Sequence, residues 1–147
     1  MKTSRILLAT STLAFLAAMS SGAAALTSAA PVHNQRGDID GHAYLSGGYG
    51  EDEEHAIEQA GKDYSLHLTF SVGPHNDYTG PVKLQIEDKA GKSVFALDGA
   101  GPLTDVALPP GAYRVKADYG EVEQAARVEI KAGSPRVLHL HWNHDAT

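Results

Sequence analysis

The sequence predicts an all-β fold: a single seven-stranded Greek-key β-sandwich with one short N-terminal helix, preceded by a signal peptide. Three observations carry this expectation. Tyr64, Leu66, Leu68, Phe70 and Val72 alternate with Ser65, His67, Thr69 and Ser71, the period-two pattern of a strand with one buried face. Leu108-Pro109-Pro110-Gly111 makes a rigid turn, because proline fixes φ and glycine admits whatever positive φ the turn needs. A second alternating run leaves that turn at once, with Tyr113, Val115 and Ala117 on one face and Arg114 and Lys116 on the other. Turn signals then recur about every eight to twelve residues, the spacing of a sandwich.

The N-terminus has the layout of an export signal. Lys2 and Arg5 give a positive start, Ile6 to Met19 is apolar apart from Thr10, Ser11 and Thr12, and Ala23-Ala24-Ala25 offers a small-residue cleavage site. A cut after Ala25 is expected, with Ser28-Ala29-Ala30 as a second site. The apolar run is shorter than the ~20 residues of a membrane span. The 147 residues divide into a signal peptide (1–25), a flexible leader (26–41), a short strand and acidic helix (42–61), a β-sandwich domain (62–143) and a tail (144–147). Expected localisation is periplasmic or secreted. The formal net charge of −6, less the two positive charges of the signal, leaves −8 on the mature chain. That balance argues against nucleic acid and anionic membranes as partners, since both call for a basic patch. With no cysteine in the chain, disulfides, thiolate catalysis and Cys-based zinc sites are excluded.

The mature chain reads as follows. The leader, with Pro31, His33, Asn34 and Gly37, is polar and expected to be poorly ordered. His42 to Ser46 reads as a short strand and Gly47 to Gly50 as a turn. Glu51 to Ala60 reads as the helix: four acids crowd its first turn, where carboxylates favour the positive end of the dipole. Ala56, Ile57 and Ala60 form a narrow apolar stripe, with Gly61 beyond them as a cap. The acidic run lacks the spacing and central glycine of a calcium loop. Strands follow over Tyr64 to Val72, Val82 to Ile86, Val94 to Leu97, Leu103 to Leu108, Ala112 to Tyr119, Val122 to Ile130 and Val137 to Trp142. Between them lie the turn residues Gly73-Pro74, Asp88 to Gly91, Gly99 to Pro102, Gly120 and Gly133 to Pro135.

Leu108-Pro109-Pro110-Gly111-Ala112-Tyr113-Arg114-Val115, with the hairpin Lys89-Ala90-Gly91-Lys92-Ser93-Val94 before it, resembles the carboxypeptidase regulatory-like domains, a prealbumin-like (transthyretin-like) sandwich family. Tyr44 to Glu54 followed by Tyr64 to Phe70 looks like a set of small exported proteobacterial proteins that carry that domain. The resemblance covers roughly Gly41 to Trp142. It implies a non-catalytic accessory fold and supplies no activity, cofactor or site residue.

The residues themselves offer one candidate site. The chain has eight histidines, and the densest group is His139-Leu140-His141-Trp142-Asn143-His144. On a strand, His139 and His141 share a face about 7 Å apart. Two imidazoles at that spacing suit copper or zinc, with His144 or His67 as the third ligand. The plainer reading is that they are outward polar positions opposite Leu138, Leu140 and Trp142. No nucleophile elbow is present, and Gly47-Gly48-Tyr49-Gly50 lacks the Lys and Ser/Thr of a phosphate loop. The expected function is an exported, non-catalytic binding or accessory module of the cell envelope. Its partner would be a protein or another envelope component, with no nucleic acid involved and no membrane span in the mature chain. The alternative is a periplasmic copper- or zinc-binding protein.

Overall fold

A computed structural model describes residues 34–144. The expected signal peptide (1–25), the expected leader up to residue 33 and the last three residues of the tail lie outside the described residues. Ten strands form two sheets, where about seven were expected. One sheet, here the outer sheet, contains β1 (Gln35–Ile39), β2 (His42–Gly47), β3 (Leu66–Val72), β4 (Asp77–Tyr78), β7 (Leu103–Val106) and β10 (Arg136–Trp142). Its order is β1-β2-β7-β3-β10, with β4 joined to the end of β3. The second sheet contains β5 (Val82–Asp88), β6 (Ser93–Ala100), β8 (Gly111–Tyr119) and β9 (Val122–Ile130), in the order β6-β5-β8-β9.

β1 and β4 are two of the strands that patterning did not anticipate. β1 has no alternating apolar face. It exists because Asp40 and Gly41, at φ 52° and 84°, close a two-residue hairpin whose positive-φ pair matches strand twist. Asp38 holds that turn by accepting the Gly41 N–H at 2.8 Å. Strand structure therefore begins inside the stretch expected as leader. The same device joins β8 to β9 through Gly120 and Glu121, at φ 57° and 65°.

The core lies between the sheets. Leu66, Leu68, Phe70 and Val72 of β3 meet Val82, Leu84 and Ile86 of β5 and Tyr113, Val115 and Ala117 of β8, all buried. The double-proline turn leads directly into β8, which is paired on both sides by β5 and β9. The Tyr113 hydroxyl donates to the Pro109 carbonyl at 2.7 Å, tying the turn to the strand it launches. β10 lies parallel to β3 because the chain arches from β9 in one sheet to β10 in the other, and Trp142 closes the far end by donating its indole N–H to the Val122 carbonyl at 2.7 Å.

The helix α1 (Glu51–Ala60), extended by a 3-10 turn (Gly61–Asp63), sits on the outward face of the outer sheet. Ile57 is its apolar plug, packed with Leu45 and Tyr64 in a small cluster separate from the main core. Tyr64, expected inward with β3, therefore belongs to the helix seat. No helix among the described residues is long and apolar enough to cross a membrane.

Candidate functional site

The outward face of β3 presents His67, Thr69 and Ser71, because Leu66, Leu68, Phe70 and Val72 take the inward positions. β10 runs beside it in parallel register, pairing Val137 with His67, His139 with Thr69 and His141 with Ser71. On the other flank, β7 sets Asp105 opposite His67, and β4 sets Tyr78 opposite Ser71. Seven polar side chains thus share one face, laid out in three rows across the strands.

His139 and His141 do converge. Ser71 Oγ lies 2.7 Å from His139 Nε2 and 2.9 Å from His141 Nδ1. A hydroxyl has one proton and two acceptor sites, so it can donate to at most one of the two ring nitrogens and must accept an N–H from the other. Ser71 is fully buried. A serine 2.7 Å from an imidazole is half of a nucleophile–base pair, but an inaccessible oxygen shared between two rings acts as their clamp. The other two histidines considered for this group lie elsewhere. His67 is engaged by Asp105, and His144 lies beyond the end of β10 in an exposed position. No group of three or more His, Cys, Asp or Glu among the described residues is placed to hold a metal ion.

His67 Nδ1 lies 2.7 Å from Asp105 Oδ1. Asp105 is almost wholly buried, and burial pushes its carboxyl above the usual value of 3.8 while the hydrogen bond and charge of His67 pull it down. Gly61 makes room for this pair. A Cβ there would stand 2.7 Å from Asp105 Oδ2, so the 3-10 turn can close over the carboxylate only as glycine. With Nδ1 turned to Asp105, the ring's other nitrogen is left for the groove above it, the orientation in which a carboxylate fixes an imidazole tautomer.

That groove, about 410 Å³, runs over β3 between α1 and β10. Apolar Ile57, Leu103, Pro135 and Val137 line it together with the charged Glu58 and Lys62, and His67, Asp105 and Thr69 belong to the same lining. Tyr78 stands at one end and donates its hydroxyl to Glu54 at 3.2 Å. Burial, then Glu54 and Glu58, raises its phenol. Val137 is 75 % exposed, an apolar side chain presented to solvent on the groove's rim. Apolar side chains around a few convergent polar groups are the usual composition of a ligand site.

Sequence reasoning singled out His67, His139 and His141 but missed Ser71 and Asp105. Asp105 had a signal, an acid in the middle of a short strand between Thr104 and Val106. Ser71 had none beyond its outward phase, because its partners come from a strand 68 and 70 residues away. Comparison with protein-family models, with curated proteins and with solved structures finds no match for this chain.

Proposed function

We propose that the protein is an exported, non-catalytic β-sandwich accessory or binding module of the cell envelope, which takes its partner in the groove between α1 and β10. The observation that carries this is the groove itself: a lining of apolar and charged side chains around an imidazole that a buried carboxylate engages. The clamped, inaccessible Ser71 supports a binding role over nucleophilic chemistry. The finer assignment to the carboxypeptidase regulatory-like, prealbumin-like sandwiches is part of the same proposal. It draws support from two facing sheets and from the double-proline turn that feeds the central strand β8.

The test is retention of an envelope component by the purified mature chain after cross-linking in the host's own periplasmic and envelope fractions. A component held by the wild type and lost with Val137→Glu or His67→Ala supports the groove. Equal retention by all three rejects it, and turnover of an ester or peptide substrate that vanishes in His67→Ala would replace binding with catalysis.

A second reading, a periplasmic copper or zinc site on His139 and His141, is favoured by their convergence on Ser71 Oγ. A metal would take both nitrogens in place of the hydroxyl, completing its shell with water. Calorimetric titration of copper(II) and zinc decides it. Stoichiometric binding abolished by His139→Ala and His141→Ala, and kept by Ser71→Ala, supports the site; weak binding indifferent to both histidine substitutions removes it.

A further inference from the structure

A different feature occupies the exposed face of the second sheet. Arg114 of β8 and Arg127 of β9 are directly opposite each other in register, and both are exposed. Like charges in that position repel, so the pair is unfavourable as it stands. Both line a concavity of about 590 Å³, together with Glu87, Asp88, Lys89, Gly91, Ala112 and Glu129 among others.

The acids nearby are mostly engaged elsewhere. Glu87, the residue beside Arg114 on β5, is drawn to Lys116 at 2.7 Å. Asp88 Oδ1 accepts the backbone N–H groups of Ala90 and Lys92 at 2.9 and 3.0 Å, holding the β5–β6 turn. Lys89, Arg114 and Arg127 take part in none of the ion pairs formed among the described residues. Asp88 keeps its negative charge, so with Glu87 paired to Lys116 three cations face two acids, Asp88 and Glu129, across the concavity, on a chain whose net charge is −6.

We propose that this concavity binds an organic phosphate, with Arg114 and Arg127 gripping the phosphate together. Guanidinium forks match phosphate oxygens two at a time, and a doubly charged group between two arginines turns their repulsion into attraction. The concavity has room beyond a single phosphate, so a phosphate carried on a larger body fits it. Glu129 accepts hydrogen bonds and nothing else, which selects a body rich in hydroxyls. The ligand class is a phosphorylated sugar. The proposal stands independently of the groove on the other sheet.

The test is an amide-resolved NMR titration of the mature protein at low ionic strength with glucose 1-phosphate, inorganic phosphate and glucose. Saturable shifts are expected around residues 87–91, 112–114 and 127–129 with glucose 1-phosphate, weaker ones with inorganic phosphate, and none with glucose. Arg114→Gln and Arg127→Gln each weaken binding about tenfold or more, since a charge-assisted hydrogen bond is lost, while the spectra remain those of a folded protein. Lys116→Gln weakens it too, because Glu87 is released to take Arg114. Arg36→Gln, on the far sheet, leaves it unchanged. Absence of saturable shifts, or shifts that survive both arginine substitutions, overturns the site. Equal affinity for inorganic phosphate and glucose 1-phosphate overturns the sugar.

Discussion

Thr104 is fully buried, yet its hydroxyl is satisfied twice over. It donates to the Gly101 carbonyl at 3.0 Å and lies 2.9 Å from Ser46 Oγ, which in turn accepts the Gly101 N–H at 2.8 Å. Ser46 thus donates to Thr104, and every member of the ring has its partner. Thr104→Val leaves a buried carbonyl and hydroxyl without one, which costs about 1–3 kcal/mol in urea unfolding. Ser46→Ala costs a similar amount, and the double variant costs less than the sum because the two share one network. Asp105 behaves differently. Its raised carboxyl pKa means the native state holds that proton more tightly than the unfolded chain does. Its contribution to stability is therefore fully present below the usual 3.8 and lost as pH rises through the raised value. Asp105→Asn removes that charge and still accepts the His67 hydrogen bond. The melting temperature of the variant is expected to match or exceed wild type at pH 7, and its advantage to shrink as pH falls through the raised value toward 3.8. A variant that melts lower at pH 7 would mean the ion pair outweighs the cost of burying it.

At the scale of the element, α1 is held to the outer sheet chiefly through Ile57 and Glu53. No side chain caps its N-terminal Gly50. Glu53 instead reaches back to accept the Tyr49 N–H at 3.0 Å, and Ile57 is its one buried apolar side chain. Ile57→Ala removes the plug that seats the helix on Leu45 and Tyr64, a change worth about 2–5 kcal/mol at a buried site. The loss is expected to be local. Hydrogen exchange of amides 51–63 accelerates while β5 and β8 keep their protection, and uniform acceleration would show that the helix unfolds only with the whole domain. Because α1 walls the candidate groove, the same substitution also weakens any ligand held there.

At the scale of the molecule, β9 and β10 are the edge strands on one side of the sandwich. Trp142 pins that side shut with its hydrogen bond to Val122 and its edge contact with Tyr119, ring centroids 5.6 Å apart. Trp142→Phe keeps most of the apolar volume and loses the N–H, and should cost about 1–2 kcal/mol. Its effect on hydrogen exchange is expected at the start of β9 and the end of β10. Exchange unchanged at both strand ends would show that side-chain packing alone holds the seam.

The strands with a buried face were legible from residues 64 onward because period-two alternation is a local signal. The helix was legible for the same reason, through its acidic first turn and its 56, 57, 60 stripe. β1 escaped notice because it is a hairpin edge with no buried face of its own. Tyr44, inside the short strand expected over His42 to Ser46, packs edge-on against Phe95 at 5.6 Å, a contact set by the second sheet. Alternation by itself determined that His139 and His141 face outward together. That they meet Ser71, and that His67 meets Asp105 in place of joining them, was decided by strand order. β10 lies parallel to β3, and β7 lies on its other side, so each histidine's neighbour is chosen by a pairing between distant segments that no local pattern encodes.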